Sequence, residues 1–177
     1  MNEPMAPKKW IIPLALLILT VAAGAYFLMR PAPRGEQVTV NQLNDAEAAF
    51  YEMATPNYEL VIDWAFYGEL RRHVARVENH VLLTAQVQYW DDEQNTWSAL
   101  VDVPENQADY LTVPGMFRML RTELINELRS EIRVEIDGDP LLPRYIFLGA
   151  MEDEGVLIRE TEVEITVVSF SPLTTPY

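Results

Sequence analysis

A chain of 177 residues that is 49% hydrophobic has room for one ordinary domain with a core of its own. Its 13 basic against 27 acidic side chains exclude a phosphate-binding surface, nucleic acid above all, because a field of that sign repels phosphate. With 0 cysteines, disulfides, thiolate metal sites and lipid attachment through a cysteine are excluded as well.

The charge is unevenly placed. Lys8, Lys9 and Arg30 stand against only Glu3 at the start, so residues 31–177 hold 10 basic and 26 acidic groups, a balance of −16 that favours a basic partner. Between the two lysines and Arg30 runs WIIPLALLILTVAAGAYFLM, residues 10–29. Twenty apolar positions at helical rise reach about 30 Å, one bilayer core. Ala22, Ala23, Gly24 and Ala25 could form a cleavage site, but the apolar run continues past them through Met29, which favours a retained signal anchor. Under that reading the same four residues are a small patch against which another helix can pack. The expected order is a cytoplasmic tail over 1–9, a transmembrane helix over 10–29 and a linker over 30–40. An exported domain over 41–171 and a tail over 172–177 follow. This places the chain in a bacterial inner membrane with its domain in the periplasm or outside.

The Pro- and Gly-bearing stretch RPAPRGEQVTV reads as an extended linker. Asn44 and Glu47 have capping-box spacing, and Leu43, Phe50 and Met53 share a face, so a helix runs to about Ala54. NYELVIDWAFYG alternates Tyr58, Leu60, Ile62 and Trp64 with polar residues and is a strand. HVARVENHVLLTAQVQYW makes two strands about a tight turn at Asn79 and His80. DDEQNTWSALVDVPENQADY is irregular apart from WSALVDV, a short strand or a cover over the sheet. Thr112 caps a helix with Pro114 in its first turn, and Phe117, Leu120, Leu124 and Leu128 recur along it. EIRVEI alternates strictly, DGDP turns, RYIFL is a strand, MEDEG turns again, and VLIRETEVEITVVSF closes the chain as one long strand. Short connections throughout predict an α+β fold, a largely antiparallel sheet with about two helices on one face, behind a single N-terminal transmembrane helix.

FYEMATPNYEL, HVARVENHVL, LTVPGMFRMLRTEL, RVEIDGDPLLPRYI and ETEVEITVVSF together resemble the motifs of a family of uncharacterised bacterial exported or lipid-anchored domains of unknown function. The likeness covers about residues 45 to 170. That family carries a Trp-bearing helix, an nY strand, a cysteine-containing segment, a V-x-V hairpin, a TV-xx-LF helix, a Pro turn and an acidic closing strand. Here Phe50 takes the Trp position, His80 the hairpin Gly position, Pro143 lacks its Gly-Tyr, and AFYGELRR has no cysteine. The resemblance implies fold and export, and no activity comes with it.

Chemistry is sparse. His73 and His80 are the 2 histidines, with no metal-ligand spacing, and both read as surface or turn residues. Ser98, Ser130, Ser169 and Ser171 lie outside any nucleophile elbow, and the 7 glycines form no phosphate loop. The acidic runs at Asp91, Asp137 and Asp153 lack the register of a calcium loop and read as solvated turns. Trp90 and Trp97 bracket Asp91 and Asp92, a candidate interface unless the two rings fold back over their own sheet. Arg71 and Arg72 beside Glu69 read as a local ion pair. No catalytic residue, cofactor or metal site is therefore assigned. The leading expectation is a non-catalytic accessory or scaffolding subunit of a larger membrane complex, for example respiratory or photosynthetic, with other membrane-complex subunits as partners. The alternative is a soluble periplasmic binding module or inhibitor, released by signal cleavage near Ala25.

Overall fold

The structure, a computed structural model, describes residues 33–104 and 108–173. Helix α1 (Val40–Met53) begins at a reciprocal cap: the Thr39 hydroxyl accepts from the Gln42 amide, and the Thr39 amide donates to Gln42 Oε1 at 2.8 Å. The cap precedes the expected Asn44–Glu47 pair because Leu43, fully buried, already belongs to the helix. Strands β1 (Tyr58–Phe66), β2 (Glu69–Glu78) and β3 (Val81–Asp91) form a meander, and β4 (Thr96–Trp97) and β5 (Val101–Asp102) fold back along β3. A 3-10 turn (Asp109–Leu111) leads into α2 (Val113–Asn126), then β6 (Ile132–Asp137) and β7 (Leu142–Leu148). The small hairpin β8 (Met151–Asp153) and β9 (Val156–Ile158), a second 3-10 turn (Arg159–Thr161) and β10 (Val163–Pro172) complete it.

The main sheet has eight strands, all paired antiparallel, in the order β4-β3-β2-β1-β10-β7-β6 with β5 added to β3. The last strand joins the halves, lying between β1 and β7. One face is apolar for a reason visible in the register. Leu60 pairs with Ala75, Ile62 with Val167, and Ile165 with Ile146, so alternate residues of neighbouring strands point the same way. On that face lie Leu43 and Phe50 of α1 and Met116, Phe117 and Leu120 of α2, all in one buried cluster. Each such fully buried side chain contributes roughly 1.5–3 kcal/mol relative to an exposed one.

The start of α2 is tied to the sheet. The Thr112 hydroxyl accepts from the Gly115 amide at 3.0 Å, and the Tyr58 hydroxyl accepts from the Val113 amide at 3.3 Å. Gly115 is required by closeness, since a Cβ there would stand 1.9 Å from the Asp109 carbonyl oxygen.

The described elements do not support the membrane reading. Among the described residues no helix is long and apolar enough to cross a membrane. Each helix has 14 residues, which at helical rise is about 21 Å against a hydrocarbon core of about 30 Å. The architecture is thus the expected α+β one, two helices on a mostly antiparallel sheet, with no membrane-spanning helix among the described residues. A single-pass subunit in a bacterial inner membrane, held among membrane-complex subunits, is not supported. The segment 10–29, with Ala22, Ala23, Gly24 and Ala25, lies outside the described residues, as do the tail 1–9 and residues 174–177.

Three local expectations also change. The stretch read as linker is partly built into the sheet, because Glu36 and Val134 exchange backbone bonds of 3.1 and 2.9 Å along the outer side of β6. The long closing strand is broken into β9, a 3-10 turn and β10, with the Thr161 hydroxyl donating to the Ile158 carbonyl at 2.6 Å across the break. His73 is buried in β2 rather than exposed, since it pairs with Ile62 and Val87 and so falls on the apolar face.

Candidate functional site

Sheet edges are where a chain of this kind is open to partners, because an edge strand presents unpaired N–H and C=O groups. Here the edge is covered in part. Glu36 straps β6, and β4 and β5 occupy β3 from Val87 and Gln86 onward. The Val103 amide donates to the Ala85 carbonyl at 2.9 Å. Beyond that bond, no described residue pairs with the outer side of residues 81–84. The register against β2 also shifts there, between Arg76 opposite Thr84 and Val77 opposite Leu82. Such a bulge adds local twist and re-aims side chains.

This open stretch forms one side of a cleft of about 830 Å³. Glu47 and Tyr51 of α1, Arg118 and Arg121 of α2, and Asp102 and Asp109 on the returning chain supply its polar groups. Arg121 is engaged, donating to Glu47 Oε2 and to Asn44 Oδ1. Arg118 is exposed and has no ion pair among the described residues. His80, at the β2–β3 turn with φ 63, packs edge-on against Tyr51 at 4.9 Å. Burial lowers the His80 pKa, so the imidazole is neutral at pH 7. Burial and then Glu47 raise the Tyr51 phenol, while Arg118 and Arg121 oppose them. The cleft therefore combines a neutral aromatic pair, one unengaged guanidinium and an apolar rim in which Val81 and Leu83 are 68% and 55% exposed.

No known family's sequence model matches this chain, and no curated protein does either. The reading of the site rests on its own geometry.

The residues singled out from sequence fall elsewhere. Trp90 and Trp97 face each other across β3 and β4 with ring centroids 5.2 Å apart. The Arg72 guanidinium lies 4.5 Å from the Trp97 ring while donating to both Asp63 oxygens at 2.7 and 2.8 Å. Both tryptophans are half-buried, packed on their own sheet. Asp91 holds the following turn, accepting from the Glu93 and Gln94 amides at 2.9 Å each, and Asp92 is exposed beside it. Arg71 pairs locally with Glu69, as its position suggested.

Among the described residues no group of three or more His, Asp and Glu side chains is placed to hold a metal. The cleft residues Tyr51, Val81, Leu83 and Arg118 were not singled out from sequence. A signal was present: VLLT directly after the turn breaks the alternation that AQVQ resumes.

Proposed function

We propose that the domain is a non-catalytic binding module that takes an extended, apolar segment of a partner protein along the outer side of β3. One observation carries this reading, the uncovered residues 81–84 at the side of the cleft. Strand addition of this kind draws affinity from main-chain hydrogen bonds and specificity from pockets that take alternate side chains. Val81 and Leu83 supply an apolar rim, and the cleft between β3 and the helices would receive one side chain of the segment. Edges that must stay unpaired usually carry a charge or a proline. This one carries neither between His80 and Thr84.

The test is a peptide-display selection on the full chain, followed by amide exchange of the best binder's complex. The expected result is slowed exchange at residues 81–85 and loss of binding by about tenfold or more in Val81→Lys/Leu83→Lys, which places charge on the edge. Selected peptides that protect other amides, or a double variant that binds as well as the parent, would refute the reading.

A further inference from the structure

We propose that the β8–β9 hairpin is a second docking surface, independent of the cleft, whose occupant is a cationic amphipathic segment of a partner protein with apolar and Lys or Arg residues in alternation. The hairpin exposes three successive apolar residues, Val156 at 65%, Leu157 at 48% and Ile158 at 38%. Among the described residues no strand pairs with the outer side of β9.

Two strands of three residues would not hold such a surface by themselves. This hairpin is held by its neighbours. The Glu152 amide donates to the Leu128 carbonyl at 2.8 Å, continuing the antiparallel register that pairs Arg129 with Met151. The Met151 amide donates to Thr161 Oγ1 at 2.7 Å. Arg129, nearly buried, donates to Glu123 at 3.0 Å, to the Gly149 carbonyl at 3.2 Å and to the Thr161 carbonyl, joining the end of α2 to both flanks of the hairpin. The apolar strip is thus presented on a fixed support. The register sets exposed Leu128, Glu152 and Leu157 in one row on one face of the hairpin, with Val156 and Ile158 on the other.

The surrounding charge selects the occupant. Glu127, Glu152, Asp153, Glu154 and Glu160 are all exposed around the strip. Against them stand Arg129 and Arg159, both already engaged. Like charges placed face to face are rejected and opposite ones attracted. A second copy docking the same strip would bring the two sets of carboxylates together. An acidic segment meets the same repulsion, whereas a paired strand of alternating Lys and Leu would lay its leucines beside Val156 and Ile158 on one face and its ammonium groups on the opposite face, which carries Glu152.

The probe is a fluorescein-labelled peptide of about ten alternating Lys and Leu residues, titrated with the full chain at roughly 0.15 M salt and read by anisotropy. An alternating Glu-Leu peptide is expected not to bind. Weakening of about tenfold or more is expected in Val156→Ser/Leu157→Ser/Ile158→Ser and in Glu152→Gln/Asp153→Asn/Glu154→Gln. Glu52→Gln/Glu59→Gln/Glu78→Gln removes equal charge from α1, β1 and β2 and is expected to stay within about twofold of the parent. On the parent chain, the Lys-Leu peptide is expected to slow amide exchange at residues 156–158. The proposal is overturned by equal loss in the two charge variants, which would show attraction to net charge alone. Unchanged binding of the serine variant, binding of the Glu-Leu peptide, or protection that misses the hairpin would each do the same.

Discussion

His73 makes the fold sensitive to mild acid. Its side chain is 8% exposed on the apolar face of β2, beside Trp64 at 5.4 Å, and its Nδ1 is buried without a hydrogen-bond partner. Burial, with the Arg71 charge adding to it and Asp63 opposing, lowers its pKa to about 4. In the unfolded chain the value returns to about 6.5. Between those values the unfolded state binds the proton and the folded state does not, so stability is complete above pH 6.5 and is lost as pH falls toward 4. The two values give a loss of about 2 kcal/mol between about pH 7.5 and pH 5, approaching about 3 kcal/mol below pH 4. His73→Leu fits between Ile62 and Val87 and removes the titrating group. The check is urea unfolding followed by tryptophan fluorescence across that range. Carboxylate effects are common to both proteins, so the difference between the two curves isolates the imidazole. The parent is expected to lose about 2 kcal/mol more than His73→Leu by pH 5. Parallel pH curves would refute the assignment.

Gly115→Ala forces a Cβ to within 1.9 Å of the Asp109 carbonyl oxygen, and the backbone shift this demands is expected to cost roughly 2–4 kcal/mol in denaturant unfolding. Tyr58→Phe leaves the Val113 amide without the phenol oxygen it now reaches at 3.3 Å. A loss of about 1–2 kcal/mol is expected from an orphaned buried donor, with the same fold by circular dichroism. Arg129→Met strands Glu123 and two carbonyls in a nearly buried position. It is expected to cost about 3 kcal/mol, and hydrogen exchange at residues 151–158 should accelerate more than in β1 or β10.

The alternating strands were readable because each buries one face only. Tyr58, Leu60 and Ile62, or Ile132 and Val134, state their side of the sheet by period two, and the structure places them there. The cap at Thr112 was equally local. What sequence did not reveal depended on distant partners. Glu36 carries no sign that it will strap Val134, some hundred residues later, since a backbone bridge needs no particular side chain. The break after Ile158 is set by Thr161 and Arg129 reaching across to β8 and to the end of α2. His73 obeyed the alternation of β2, and reading it as a polar residue hid the apolar face its position assigned. The cleft was missed for a related reason. Val81, Leu82 and Leu83 look like one apolar run until the bulge separates their directions.

Edges connect the two surfaces. Natural sheets protect open edges with charges, prolines, bulges or covering segments. This chain straps β6 with Glu36 at Val134 and covers much of β3 with β4 and β5. The stretches 81–84 and 156–158, both open among the described residues, are uncharged in a segment that holds 26 acidic groups. Two open apolar edges on one domain would invite copies to pair with each other, and the net charge is what opposes that. Repulsion between domains balanced at −16 acts over about a Debye length, roughly 8 Å at physiological salt, which is the range over which two edges must approach before bonds form. A basic or neutral partner meets no such barrier. The acidity that weighs against phosphate-bearing partners therefore has a second consequence: it opposes the pairing of identical copies but not the docking of the basic or neutral partner proposed for these edges.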